Sequence, residues 1–165
     1  ELITTCILLL NAGHEATVHT IGNGVKTLLQ TGNTIGSDTA ETCVEEILRF
    51  DPALHMFTRW AYEDIEVMGH TFHRGDQVAL LLAAANRDPG VWEDAGQFRP
   101  TRPIKPNVTF GAGLHFCVGA PLARLELQIA LPILFARLPG LKLADRPDYG
   151  NVYHFHGLTG LAVTY

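Results

Sequence analysis

The segment Phe110–Leu125 reads F-G-A-G-L-H-F-C-V-G-A-P-L-A-R-L and is the most informative stretch of the chain. A single cysteine, Cys117, follows a glycine-rich turn and comes just before a segment with helical character. Gly111, Gly113 and Gly119 allow backbone conformations that other residues rarely adopt, and they let a flat ligand approach closely. Free amide donors and the dipole at the start of a helix favour a thiolate over a thiol. The segment therefore predicts a cysteine that binds a metal or acts as a nucleophile.

These residues alone leave three functions open for Cys117. A nucleophilic cysteine requires a general base, and His115 is the nearest candidate. A zinc site requires about four ligands, whereas His115 and Cys117 offer only two, at an unusual spacing. A buried structural cysteine beside a glycine turn is the third possibility. The choice between them depends on patterns elsewhere in the chain.

The composition describes a chain rich in apolar residues and poor in charge. Charged residues make up 18% of the 165 residues, against roughly 25% in an average domain. The net charge is −5, from 12 basic and 17 acidic side chains. This balance disfavours disorder and nucleic-acid binding through a basic surface. The length predicts one domain, or one piece of a larger domain.

Cysteine usage and hydropathy bear on the cellular location. Cys6, Cys43 and Cys117 are odd in number and widely spaced, with no C-x-x-C motif, so a reducing, cytoplasmic location is expected. No apolar run approaches the ~20 residues of a membrane span, and no membrane association is expected. The chain begins with Glu1 in the middle of an apolar pattern, which we interpret as a cut end.

Helical patterns occupy three parts of the chain. Residues 1–30 predict one long helix, and its apolar residues cover most of the circumference, as in a buried helix. A glycine- and asparagine-rich loop follows over 31–37, and Asp38 or Thr39 is placed to cap a second helix that reaches Phe50. A third helix is predicted over 120–138, with a kink at Pro132.

The rest of the chain predicts short strands and loops. Residues 65–72 alternate around Gly69 as in a hairpin, whereas Val78–Ala85 fits a strand or a helix equally well. Residues 86–107 contain four prolines and predict a long ordered loop, a type of loop that is usually functional. Short strands are expected in the tail after residue 140.

Five stretches resemble motifs of one known family. The sequence F-G-A-G-L-H-F-C-V-G matches every fixed position of F-x-x-G-x-(H/R)-x-C-x-G, the signature of the cytochrome P450 haem-thiolate monooxygenases. Glu46–Arg49 resembles the family's E-x-x-R, and Phe98–Arg102 resembles its arginine-bearing loop. Ala12–Thr17 resembles its (A/G)-G-x-(D/E)-T-(T/S) segment, and Asn86–Pro89 resembles a turn common in bacterial members. Their order and approximate spacing agree. The chain thus resembles a soluble bacterial cytochrome P450.

The resemblance implies a mainly α fold with small β-sheets (α+β). It covers the C-terminal part of the cytochrome P450 fold: the long helix I, helix K, the meander (residues 86–107), the cysteine-ligand loop and helix L. Because family members are much longer, residues 1–165 are expected to be a partial domain whose N-terminal half is absent. The short segment Thr31–Thr42 leaves little room for the helix that relatives place before E-x-x-R, so that helix is expected to be shortened or lost.

The cofactor implied by the resemblance is haem b. Cys117 would be the axial thiolate on the iron, in a loop that also includes Phe110, Gly111, Gly113 and Gly119. His115 and Arg59 would pair with the haem propionates. Without the resemblance, an arginine in a strand is usually a solvated surface group.

The same resemblance assigns a buried ion network to Glu46, Arg49 and Arg102, which would hold the meander behind the haem. On spacing alone, Glu46 and Arg49 could instead be an ordinary helix-surface pair, worth about 0.2–0.5 kcal/mol. The two interpretations differ in whether the charges are buried.

Glu15 and Thr17 are the predicted catalytic residues on the distal side. A carboxylate in an apolar helix suggests a proton path into an oxygen pocket, although a hydrogen-bonded core carboxylate is an alternative. Ala16 occupies the position where most members of the family have the threonine that directs protons to dioxygen. A substrate-assisted or peroxide-driven variant of the reaction is therefore considered alongside ordinary hydroxylation.

The resemblance implies a monooxygenase that takes electrons from a ferredoxin or flavoprotein reductase and oxidises a small apolar organic substrate. The alternatives are a non-catalytic fragment, haem-free or docking to another chain, and a haem-thiolate peroxygenase or sensor. Because apolar helices of a partial domain would lack some of their cover, self-association is also expected.

Overall fold

The computed structural model describes residues 1–152 and 154–165 of the chain. It is a mixed α and β structure, as predicted. The helices are α1 Leu2–Thr31, α2 Ala40–Phe50, α3 Leu82–Ala85 and α4 Ala120–Arg137, with a 3-10 turn over Gly113–His115. The strands are β1 Met56–Trp60, β2 Ile65–Val67, β3 His70–Phe72, β4 Gln77–Leu81, β5 Lys142–Leu143 and β6 Val163–Thr164.

The long helix α1 forms as predicted, but only its second half is buried. It ends at Gly32, which adopts the left-handed conformation with φ of 67°, the usual role of glycine at a helix C-terminus. Residues 23–28 are buried, whereas Leu2 and Leu9 in the first half are 77% and 57% exposed. The prediction of a helix buried along its length is therefore wrong for the first half in this chain, because no described element packs on it.

The segment between α1 and α2 contains turns and no helix among residues 32–39, so the expected loss of a helix there is confirmed. Thr39 precedes α2, as predicted, but its hydroxyl does not cap the helix. The Thr39 hydroxyl oxygen instead accepts a hydrogen bond from the Gly36 amide at 3.1 Å. The side chain therefore stabilises the turn that leads into α2.

The core lies where α1, α2 and α4 meet. A Cβ atom at Gly24 of α1 would lie 3.3 Å from the side chain of Ile47 in α2, so glycine permits the close approach of these two helices. The apolar side chains buried there come from all three helices and from the flanking loops: Val25, Leu28, Ile35, Ala40, Cys43, Val44, Ile47, Leu48, Leu127, Leu131 and Leu141.

The described residues form three two-stranded antiparallel sheets, pairing β1 with β4, β2 with β3 and β5 with β6. The predicted hairpin is confirmed, and its turn places Met68 and Gly69 at φ of 51° and 79°, as a tight two-residue hairpin turn requires. The ambiguous stretch Val78–Ala85 is part strand and part helix, since β4 runs directly into α3. Among the described residues, no helix is long and apolar enough to cross a membrane.

Candidate functional site

The glycine-rich loop before α4, residues 110–119, is called the cysteine loop below. A backbone hydrogen bond joins its two ends, and Cys117 lies close to the start of α4. The Cys117 amide donates to the Phe110 carbonyl at 3.0 Å, and the Ala120 amide donates to the Cys117 carbonyl at 3.3 Å. Gly111 and Gly113 have φ of 72° and 67°, which side-chain-bearing residues rarely adopt. The loop therefore depends on glycine at these two positions, as its sequence predicted.

Cys117 is exposed, and apolar side chains next to it are exposed as well. Leu114 and Val118 are 96% and 86% exposed, and Phe116 is 49% exposed. The backbone of Gly119 passes beside the sulfur, because a Cβ atom there would lie 3.8 Å from Cys117 Sγ. A soft sulfur donor within an exposed apolar surface fits a flat, largely apolar macrocycle that carries iron.

The other two cysteines lie in different environments. Cys43 is buried in the core, and burial, together with the charge of Glu46, raises the pKa of its thiol to about 11. Such a thiol is inert as a ligand or nucleophile at neutral pH. Cys6 is exposed on α1 and lacks a glycine-rich loop. Cys117 is thus the cysteine whose surroundings suit a ligand.

The predicted propionate partners, His115 and Arg59, are both exposed. His115 ends the 3-10 turn within the cysteine loop. Arg59 lies in β1, where its Nη1 donates to the Thr58 carbonyl at 2.8 Å and its guanidinium lies 5.9 Å from the centre of the Phe57 ring. Within the described residues neither forms an ion pair, and their role toward propionates stays a prediction.

The charges of the E-x-x-R motif and the meander form a buried cluster, so the helix-surface alternative is wrong. Arg49 Nε donates to Glu46 Oε2 at 2.8 Å and Arg49 Nη2 donates to Glu46 Oε1 at 2.8 Å, with both side chains 1% exposed. Arg102 Nε donates to Glu46 Oε2 at 3.1 Å. The one carboxylate therefore accepts charge-assisted hydrogen bonds from two guanidinium groups.

Arg49 also connects α2 to the backbone of the meander. Its Nη1 donates to the carbonyls of Asn86 and Ala95, each at 2.9 Å, and its Nη2 donates to the Gln97 carbonyl at 3.0 Å. The guanidinium lies 5.2 Å from the centre of the Trp92 ring. One side chain thus fixes three separated points of the loop that precedes the cysteine segment.

Asn86 and Thr109 form a second connection that sequence reasoning missed. Asn86 Nδ2 donates to Thr109 Oγ1 at 2.8 Å, and Thr109 Oγ1 donates to the Leu48 carbonyl at 2.7 Å. Asn86 Oδ1 accepts from the Val108 amide at 2.8 Å. The pair therefore ties the residues just before Phe110 to α2. In the sequence, only the turn motif N-R-D-P at Asn86–Pro89 drew attention to Asn86. A turn motif does not indicate that its side chain has a buried partner.

Arg124 of α4 contacts both the cysteine loop and α2. Its guanidinium lies 4.7 Å from the centre of the Phe110 ring, and its Nη2 donates to Glu45 Oε2 at 3.3 Å. Arg124 thus joins α4, α2 and the first residue of the loop.

Glu15 and Thr17 lie near the middle of α1, outside the cysteine loop. The Glu15 side chain is 52% exposed, and its Oε1 lies 3.8 Å from Nε2 of His19, one turn further along. Thr17 is half-buried. Gly13 leaves open space beside this turn, since a Cβ atom there would meet nothing within 4 Å. The core-carboxylate alternative for Glu15 is wrong in this chain, and its catalytic role stays a prediction.

The structure therefore groups six of the predicted site residues in one loop: Phe110, Gly111, Gly113, His115, Cys117 and Gly119. Arg59 lies on β1, and Glu15 with Thr17 lies on α1. The fold and the cysteine loop together define an α+β protein in which a cysteine lies just before the N-terminus of a helix. The cytochrome P450 family model matches residues 39–139. The chain belongs to the cytochrome P450 family, and membership of that family implies a haem cofactor.

Curated relatives support the same assignment. The chain is 44% identical to the biotin biosynthesis cytochrome P450 of Bacillus subtilis (strain 168) over 171 residues, covering 100% of this chain and 43% of the relative. It is 42% identical to the vitamin D(3) 25-hydroxylase of Pseudonocardia autotrophica, covering 99% of this chain and 43% of that enzyme. The chain therefore spans less than half the length of these relatives.

Solved structures show the same partial match. The structure resembles P450BioI in complex with an acyl carrier protein ligated to hexadec-9Z-enoic acid, with a TM-score of 0.91 and 45% identity over 97% of this chain and 43% of that one. The tirandamycin C-bound monooxygenase TamI has a TM-score of 0.94 and 35% identity, over 99% of this chain and 43% of TamI.

Proposed function

We propose that this chain is part of a haem-thiolate monooxygenase in which Cys117 is the axial ligand of haem b. The observation that carries the proposal is the exposed Cys117 thiol, held beside the N-terminus of α4 by a closed glycine loop. Residues 1–165 would form the part of the domain that binds haem, with the rest of the domain supplied elsewhere. Its cysteine usage suits a cytoplasmic enzyme.

The loop residues would bind and orient the cofactor. Cys117 would supply the thiolate, and the backbone amides that follow Cys117 would donate toward its sulfur. Leu114, Phe116 and Val118 would exclude water from the macrocycle. His115 and Arg59 would neutralise the propionates. When bound, haem activates dioxygen, and a thiolate ligand favours cleavage of the O–O bond.

Glu15 would hold and deliver protons for dioxygen activation, and Thr17, two residues further along α1, would contribute a hydroxyl. The 52% exposure of the Glu15 side chain leaves its carboxylate accessible for this role. We further propose a ferredoxin or a flavoprotein reductase as the electron donor and a small apolar organic molecule as the substrate. The exposed apolar surface on the first half of α1 supports an apolar substrate pocket.

The reduced carbon-monoxide difference spectrum of the purified protein tests this function. A Soret band typical of thiolate ligation, together with reductant consumption that depends on substrate, supports the monooxygenase. A thiolate band without reductant consumption would indicate a sensor, and turnover with peroxide alone would indicate a peroxygenase. Absence of any haem spectrum would indicate a non-catalytic fragment.

Replacing Ala16 with threonine is expected to raise the coupling of reductant to product severalfold, because a hydroxyl at this position can pass protons from Glu15. The measurement compares product formed with reductant consumed. Val18→Thr, which adds a hydroxyl at an exposed position two residues away, is the matched control. Unchanged or poorer coupling in Ala16→Thr would count against proton delivery along this turn.

The apolar first half of α1 predicts self-association of the 165-residue chain. Leu2, Ile3, Leu8 and Leu10 are each more than half exposed, and contiguous exposed apolar surface drives association. Light scattering coupled to size-exclusion chromatography measures the outcome. A monodisperse, haem-loaded monomer would contradict this prediction.

A further inference from the structure

A buried polar cluster lies outside the cysteine loop, where α1, the end of α2 and the tail of the chain meet. At its centre is Asp51, which is 4% exposed. Lys26 Nζ of α1 donates to Asp51 Oδ2 at 2.7 Å, and the Tyr149 hydroxyl donates to the same oxygen at 2.6 Å. His156 Nε2 lies 3.3 Å from Asp51 Oδ1. Three partners from two other parts of the chain thus surround one carboxylate.

The cluster keeps Asp51 charged. Burial opposes ionisation, but hydrogen bonds from His156, Lys26 and Tyr149 outweigh it and lower the pKa of the carboxyl. The same burial, with the Asp51 charge beside it, raises the pKa of Tyr149. At neutral pH the centre is therefore a carboxylate with a neutral phenol and an ammonium against it.

Three aromatic rings stack above this carboxylate. The Tyr149 and His156 rings have centroids 3.7 Å apart and planes at 20°. The His156 and His55 rings have centroids 3.9 Å apart and planes at 22°. Tyr149 and His156 belong to the tail, and His55 follows α2. The stack therefore joins the tail to the segment that leads into β1.

Backbone contacts run alongside the stack. The His156 amide donates to the Ala53 carbonyl at 2.7 Å, and Leu54 forms an antiparallel bridge with Phe155. These few bonds and the three stacked rings hold the tail on residues 53–55. A change that separates the rings removes this part of the attachment, while the Asn23 side chain still donates to the His156 carbonyl at 2.8 Å.

The two histidines cannot both accept a proton without strong repulsion, because their rings lie face to face at 3.9 Å. Protonation of His55 is opposed by His156 and by the Arg87 guanidinium, which together with burial outweigh the favourable charge of Asp51. Burial and then His156 lower the pKa of His55 from its ordinary value of 6.5.

The cluster is a poor site for a metal ion, although atoms of Asp51, His55 and His156 lie within 4.8 Å of one another. Ring nitrogens direct their lone pairs in the ring plane, and the planes of the two imidazoles are nearly parallel. Lone pairs in parallel planes do not converge on one ion. The Lys26 ammonium, 2.7 Å from Asp51, adds a repulsive charge.

We propose that the stack of Tyr149, His156 and His55 is an acid-sensitive latch, closed at neutral pH and opened when both histidines are protonated. Since a neutral His55 is favoured in the closed state, the latch is fully stable above the ordinary histidine pKa. It loses stability as the pH falls below that value. Protonation of Asp51 at still lower pH acts in the same direction.

Opening the latch would uncover part of α1. The His19 ring lies 5.5 Å from the Phe155 ring, and a Cβ atom at Gly157 would lie 1.9 Å from His19 Nδ1. The tail thus covers α1 one turn after Glu15. Its release would change access to this surface whether or not the chain carries out oxidation.

Hydrogen–deuterium exchange of the intact protein at about pH 7.5 and about pH 5 tests the latch, with rates corrected for the intrinsic effect of pH. The reporter is the His156 amide, and the reference is α2. About tenfold loss of protection at the lower pH is expected for the reporter and not for the reference. Equal protection of the reporter at both pH values overturns the proposal.

Variants assign the effect to the stacked pair. His55→Phe keeps a ring in the stack without a titrating group, and its tail is expected to stay protected at both pH values. His73→Gln is the matched control: it removes an exposed histidine that pairs with Asp64 at 3.2 Å, and it should respond to pH as the wild type does. A His55→Phe protein whose tail still opens in acid, or a His73→Gln protein whose tail does not, overturns the proposal.

Discussion

Replacing Arg49 with alanine is expected to abolish the accumulation of soluble, haem-containing protein. The Glu46 side chain is 1% exposed and receives two hydrogen bonds from Arg49. Without Arg49, the carboxylate retains Arg102 but loses its bidentate partner. The carbonyls of Asn86 and Ala95 lose their donor, and that of Gln97 keeps only Arg102. Breaking a buried pair of this kind costs about 3–5 kcal/mol, a large part of the stability of a typical domain.

Soluble yield, haem content and the free energy of unfolding in denaturant measure this effect. The matched control is Arg99→Ala, in the same region of the chain. The Arg99 and Asp94 side chains are 46% and 49% exposed and lie 3.2 Å apart, so removing this pair should cost only about 0–1 kcal/mol. Wild-type yield and stability in Arg49→Ala would show that the buried triad does not hold the meander in place.

The triad shows which features of the fold the sequence could predict. Glu46, Arg49 and Arg102 stand at fixed spacings in recognisable motifs, and the structure confirms that they meet. Helix α1 and the hairpin around Gly69 are set by local periodicity and turn chemistry, and both form where expected.

Other features depend on partners distant in sequence and could not be predicted. Lys26 looks like a solvated charge on a helix, but it is buried because Asp51 and Tyr149 arrive from positions 25 and 123 residues away. The prediction that α1 is buried along its whole length was wrong for a related reason. Its apolar first half predicts an environment that the described residues of this chain do not provide.

Replacing Cys117 with serine is expected to eliminate the thiolate-type Soret band from the reduced carbon-monoxide difference spectrum. A serine hydroxyl is a much harder and less basic donor than a thiolate, so it does not replace sulfur on haem iron. Cys117 is exposed, and in the haem-free protein a surface substitution of this kind should change the free energy of unfolding by only about 0.5 kcal/mol or less. The spectral loss is therefore expected in a protein that is still folded.

The matched control is Cys6→Ser, because Cys6 is also exposed but lies on α1, away from any glycine loop. Its spectrum and stability should equal those of the wild type. Cys43 is unsuitable as a control, since its burial in the core would make the hydroxyl of serine costly. A thiolate band that persists in Cys117→Ser would exclude Cys117 as the axial ligand. A band lost in Cys6→Ser as well would assign the signal to a general loss of structure, because two cysteines on separate elements cannot both be the single axial thiolate.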